Sequence, residues 1–361
     1  MNRNLEHYRK LILIIIMFIC VLSLSAEVPS TDWFYNTLND EEKNLYNEIE
    51  NAVYNCEIEV STILPISDAL RIFEGFLDDN PGVFWVDRLK TTYKPTLISD
   101  KFVGILCLSY THQESLEADK QEFIRVVTRF SDYIEDDPND WIKLYHIYDY
   151  LGSAIEYSLD YIDQSMWSVF FRGIGVCAGF ARSFQYLALL QGIPSVVVHG
   201  WSKDQNGNKG TAHLWVMAEI NGKWYHFDPT WGLLDNFGDV DFSYFCRSEE
   251  RISKTHIINN EYPIPESYDD SMSYAARRHR MFSTYNRRDF MLVMADAFEH
   301  GEYSFTVEFE TEAELDKAIK DLFEDQYVWQ LLSHLNASGL RNLKYITDNN
   351  SYSLKLVFSK R

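Results

Sequence analysis

The chain has 361 residues, 46% of them hydrophobic and 15% aromatic, with a formal net charge of −21. This composition excludes a disordered chain and leaves room for two or three folded domains. The acidic balance excludes a nucleic-acid partner, which would need clustered Lys and Arg to meet phosphates.

Arg3, Arg9 and Lys10 precede an apolar run, LILIIIMFICVLSLS, and Ser23 and Ser25 supply a small-x-small pattern before Ala26. Residues 1–25 therefore read as a signal peptide, which predicts an exported protein: periplasmic, cell-envelope or secreted. An uncleaved N-terminal anchor is the alternative and the only route to a membrane, although the run falls short of the roughly 20 apolar residues of a spanning helix. Cys20 is not read as a lipidation site, because Ile19 is larger than the residue expected before one.

Residues 31–136 read as an N-terminal α+β domain. Leu45, Ile49 and Val53 recur at helical spacing in EEKNLYNEIENAVYN, and DALRIFEGFLDDNPG is a second helix stopped by Asn80, Pro81 and Gly82. VFWVD and FVGILCLSY read as strands, and SLEADKQEFIRVVTRFSDYI as a third helix. EDDPND (Glu135 to Asp140) is a solvated linker; calcium is not inferred from it.

Residues 141–265 form the central domain. WIKLYHIYDYLGSAIEYS is helical, and a second helix begins near Cys177 and ends at Gly192, with Pro194 just beyond. PSVVVHGW is a strand. TAHLWVMAEI and KWYHFDPTW flank Asn221 and Gly222, which supply the positive φ angles of a type I′ hairpin turn. Residues 270–361 form a small C-terminal α+β unit. It holds the helix RRDFMLVMADAFEHG, the strand YSFTVEFE, a helix opened by a Thr311–Glu314 capping box, and a hairpin turning at Asp348 to Asn350.

Cys56, Cys107, Cys177 and Cys246 remain after a cleavage at Ser25, and none is spaced as a CxxC pair, so no metal site is indicated. Cys56 and Cys107 read either as one disulfide or as two free thiols. Cys177, behind Gly173 and Gly175, sits where the positive end of a helix dipole favours a thiolate and where free N–H groups can hold an oxyanion. The hairpin adds a second element. A two-residue turn at Asn221-Gly222 pairs Ile220 with Lys223 and Trp215 with Asp228, which makes His213 and Asp228 diagonal neighbours on one sheet face. His226 shares that face as a competing imidazole.

GVCAGFARSFQYLALLQGIPSVVVHGW, then HLWV, then DPTW resembles the transglutaminase-like superfamily, most of all over residues 140–260; YFCRSEERISKTH and DNPGVFWVD also look similar to exported bacterial members. The resemblance implies an α+β, papain-like core in which the nucleophile helix packs on an antiparallel sheet. It further implies Cys177 as nucleophile, His213 as general base and acid, Asp228 as orienting carboxylate, and no cofactor. Protein or peptide substrates follow, with protease or amidase chemistry preferred to cross-linking. Val216 stands where the family often has an asparagine. Trp167 is a candidate for the oxyanion side chain, with packing as its alternative role. A non-catalytic binding module that keeps the fold is the rival reading.

Overall fold

The computed structural model describes residues 29–98, 101–134, 137–159, 164–233, 238–337 and 339–360. The signal-peptide segment 1–25 lies outside the described residues, as do Glu135 and Asp136 of the linker.

The N-terminal part places α1 (Asp40–Asn55), β1 (Glu59–Thr62), α2 (Ile66–Asp79), β2 (Thr92–Ile98), β3 (Lys101–Cys107) and α3 (Leu116–Ile134) around an antiparallel sheet of order β1-β3-β2. Asn39 caps α1 by accepting from the N–H of Glu42, whose carboxylate returns to the Asn39 N–H. VFWVD is not a strand: only Val86 makes a single bridge, to Tyr110. Its apolar character is satisfied by packing instead, since Phe84 and Trp85 are buried in the core between these helices. β1 and β2 were not legible: β1 has four residues, and β2 is an edge strand that tolerates Pro95.

The central part runs through α4 (Asp140–Ala154), β4 (Glu156–Tyr157), α5 (Met166–Arg172), β5 (Ile174–Gly175), α6 (Cys177–Leu190), β6 (Ser195–Lys203), β7 (Lys209–Ile220), β8 (Lys223–Phe227) and β9 (His256–Ile258). Strands β6 to β9 form an antiparallel sheet of order β8-β7-β6-β9. The expected turn is present, with φ of 55° at Asn221 and 78° at Gly222, and Ile220 pairs with Lys223 as the spacing predicts. Val216, Ala218 and Phe227 face α4 and α6, whereas Val198, Trp215 and Met217 form a core with Tyr244 and Ile252 on the other face. This is the α+β, papain-like arrangement: a helix that begins with Cys177, packed on an antiparallel sheet.

The C-terminal part contains β10 (Met281–Phe282), α7 (Arg287–Glu299), β11 (Ser304–Phe309), α8 (Glu312–Ile319), α9 (Tyr327–His334), β12 (Asn342–Asp348) and β13 (Ser353–Ser359), with sheet order β10-β11-β13-β12. Half of the predicted capping box forms. Thr311 accepts from the Glu314 N–H, but the Glu314 carboxylate accepts from the N–H of Tyr285, tying α8 to the start of α7. Met272 and Tyr274 pack against the central core, so the chain just beyond residue 270 is shared between the two sheets. Buried ion pairs join the parts: Arg182 to Asp78 at 2.9 Å, and Arg247 to Glu308 at 2.8 Å. Among the described residues, no helix is long and apolar enough to cross a membrane.

Candidate active site

Cys177 is the first residue of α6, preceded by Val176 in extended conformation. Two glycines make this entry possible. Gly173 ends α5 with φ of 66°, and at Gly175 a Cβ would lie 2.9 Å from Val169. The strand pair β4–β5 holds the same segment, with Tyr157 beside Gly175. The partly exposed Cys177 sulfur thus sits at the mouth of a helix that leaves its first N–H groups unpaired within the helix.

β7 brings His213 to that sulfur. The His213 ring and the Leu214 N–H are the groups beside the thiol that favour its charged form. Burial pushes the thiol up, but these two partners outweigh it and the net shift is downward, toward thiolate. The Nε2 of His213 lies 2.7 Å from Oδ2 of Asp228, which leaves Nδ1 as the nitrogen facing sulfur. Burial works against charge on the His213 ring, yet Asp228 and the thiol overcome it and push the ring up to about 10.

Asp228 follows β8 immediately and is fully buried. Its Oδ1 accepts from the N–H groups of Thr230 and Trp231 at 2.9 and 3.2 Å, and its Oδ2 accepts from His213 and also from Nε2 of His256 at 3.0 Å. Burial alone would raise this carboxyl; the two imidazoles hold it well below the usual carboxylate range. The site therefore runs from the sulfur to the imidazole beside it, and by a hydrogen bond from imidazole to carboxylate.

The structure brings Cys177, His213 and Asp228 together. His226 shares the face but not the line: its Nδ1 accepts from Trp215 Nε1 at 3.1 Å, and burial, with His256 nearby, pushes it down to about 3. Trp167 stacks on Phe171 at 3.9 Å and on Phe84 at 5.0 Å, so it packs the N-terminal core. Cys56, Cys107 and Cys246 are free thiols, as is Cys177. His256 escaped sequence analysis as a site residue. It lies on the three-residue strand β9, and its only signal was its place at the end of the YFCRSEERISKTH motif. The nearest ligand atoms of His213, Asp228 and His256 lie within 4.8 Å of one another. Separations of 2.7 and 3.0 Å suit a shared N–H···O bond, whereas tetrahedral zinc with bonds of about 2.0–2.1 Å would hold its ligands further apart.

A thiol at a helix start, facing an imidazole that is backed by a buried carboxylate on an antiparallel sheet, defines a papain-like cysteine–histidine core. Residues 128–229 match the family model described as the transglutaminase-like superfamily. Solved structures similar to the chain include a TGase (15% identity, 40% of this chain and 44% of that one, TM-score 0.26). Another is a provisionally named cysteine protease from Cytophaga hutchinsonii (18% identity, 39% and 62%, TM-score 0.26). A third is a provisionally named protease from Parabacteroides distasonis (12% identity, 38% and 35%, TM-score 0.25). In each case the chain spans less than two thirds of the solved protein. No curated protein matches the chain.

Proposed function

We propose that the chain is a thiol-dependent acyl-transfer enzyme acting on amide bonds of protein or peptide substrates. In this reading Cys177 is the nucleophile, His213 the general base and acid, and Asp228 the carboxylate that orients His213. The observation that carries it is the His213 ring beside the Cys177 thiol, itself hydrogen-bonded to the fully buried Asp228. The thiolate attacks the amide carbonyl carbon, and N–H groups at the start of α6 face the developing oxyanion. The His213 imidazolium gives its proton to the leaving amine as the C–N bond breaks, leaving a thioester. Water then attacks the thioester while His213 takes its proton, and the C–S bond breaks to return the thiolate. Hydrolysis is preferred to transfer onto a lysine amine, following the resemblance to exported bacterial members. Export through residues 1–25 places the substrate outside the cytoplasm.

Iodoacetamide at pH 6, followed by peptide mass spectrometry, tests the first step: Cys177 should label ahead of Cys56, Cys107 and Cys246. Casein with and without dansylcadaverine then separates the outcomes. New N-termini support the peptidase, and amine incorporation supports cross-linking. If Cys177 labels no faster than Cys56, the chain is a binding module on an enzyme fold.

A further inference from the structure

We propose that His256 is a positioning residue for this site, holding the second hydrogen bond on the Asp228 oxygen that orients His213. The proposal rests on the thiol-enzyme reading above for its consequence, and on the following geometry for its substance.

The His256 side chain is fully buried. Nε2 lies 3.0 Å from Asp228 Oδ2, and Nδ1 lies 2.8 Å from Thr255 Oγ1. A proton on Nε2 satisfies the carboxylate, and the Thr255 hydroxyl can then donate to Nδ1, so both ring nitrogens have a partner in one tautomer. The ring cannot swing away. It is walled by Trp231 at 4.5 Å, Trp215 at 4.8 Å and Tyr244 at 5.9 Å, with the His213 ring at 5.4 Å. β9 fixes it from behind by pairing His256 with Ser202 of β6. The titratable groups around it are Asp228, His213 on β7, His226 on β8 and the Tyr244 phenol.

Asp228 therefore receives four donors: two backbone N–H groups on Oδ1 and two imidazoles on Oδ2. A buried carboxylate that loses one donor is left under-solvated. With His256 gone, Oδ2 keeps a single partner and can turn off the line to His213 Nε2. The His213 proton is then held less well, and the Cys177 thiolate forms at higher pH. An outer partner that fixes the tautomer and orientation of a working group acts in this way at other sites.

The test uses the full chain with His256→Gln, which carries an N–H at about the reach of Nε2, and His256→Asn, whose N–H stops near the Nδ1 position. The first readout is the pH profile of Cys177 alkylation by iodoacetamide. His256→Asn should move its acid-side midpoint up by about one pH unit, hence about tenfold slower labelling below it. His256→Gln should restore the wild-type profile. The second readout is the ring N–H proton resonance of His213, which His256→Asn should displace and His256→Gln should leave in place. It reads the shared oxygen even if wild-type Cys177 labels no faster than Cys56, a result that would sink the thiol-enzyme reading alone. Should His256→Asn fail to fold, Thr255→Val removes the Nδ1 partner conservatively and should shift both readouts in the same direction by less. A folded His256→Asn or Thr255→Val with both readouts unmoved overturns the proposal, as does a His256→Gln that behaves like His256→Asn; the ring then only fills space.

Discussion

Arg182 and Cys177 share helix α6, and the Nη2 of Arg182 lies 2.9 Å from Oδ1 of Asp78 at the end of α2. The other Asp78 oxygen meets His199 Nε2 at 2.5 Å, and the Asp78 carbonyl accepts from Gln185. One carboxylate of the N-terminal part thus grips helix α6 and strand β6 at once. Asp78→Ala leaves a buried guanidinium whose nearest acid is Glu74 at 3.8 Å. The expected loss is on the order of 3–5 kcal/mol, measured by urea denaturation. Combining Asp78→Leu with Arg182→Met should cost less than Asp78→Ala alone, because no charge is then stranded. Equal losses would mean that the pair is not coupled.

The charged His213–Asp228 pair links stability to pH. The folded His213 ring is raised above its ordinary 6.5, so its contribution is complete below that value and fades as pH climbs toward about 10. Asp228 is depressed, so its share of the same interaction is complete above the ordinary carboxylate range and is lost only in stronger acid. Asp228→Asn should therefore lower Tm most between about pH 4 and 6.5, with the gap to wild type closing toward pH 10. Thermal melts across pH 5–10 check this, and a gap that widens with pH counts against the charged pair.

Amide hydrolysis should vanish in Cys177→Ala, because no other group forms the thioester. His213→Ala should cost nearly as much, and Asp228→Ala less, since a mispositioned imidazole still works at times. The Cys177→Ala/His213→Ala double variant should be no slower than Cys177→Ala, as members of one unit are far from additive. Turnover that survives Cys177→Ala would remove the enzyme reading.

Two glycines should respond differently to alanine. A Cβ on Gly200 would lie 2.2 Å from the Ile257 carbonyl oxygen and 2.6 Å from the Trp215 ring, between the strands that carry His213 and His256. Gly200→Ala should destabilise by about 2 kcal/mol or more and slow Cys177 alkylation. Gly222→Ala meets nothing within 4 Å, and only its φ of 78° opposes it. It should cost about 1 kcal/mol and leave alkylation unchanged. Denaturant titration with parallel labelling separates the two.

What was legible in the sequence was local. Asn221-Gly222 sets the hairpin register by itself, and from that register His213 and Asp228 follow as neighbours; Gly173, Gly175 and the apolar run after Cys177 mark the helix start. What was not legible depends on distant pairing. Asp78 meets Arg182 and His199 across more than a hundred residues, and His256 reaches Asp228 only because β9 adds to the far edge of β6. VFWVD misled for a related reason. Its β-branched and aromatic residues signal burial, and here burial comes from packing between helices and not from a ladder.

The tight turn at Asn221 and Gly222 makes the hairpin a ruler with one end clamped. Deleting either residue leaves too little chain to close the loop, so β8 must slip one place along β7. Alternation would then turn the Asp228 carboxylate toward Val216 and Ala218, into an apolar core with no donors, while His213 faced an empty partner position. The opposite end of β7 is forgiving. The loop at residues 204–208 follows a register shift between Trp201 and Lys203 and lies in solvent. Natural or engineered changes in length, fused tags included, can therefore accumulate at that loop, whereas the two-residue turn tolerates none.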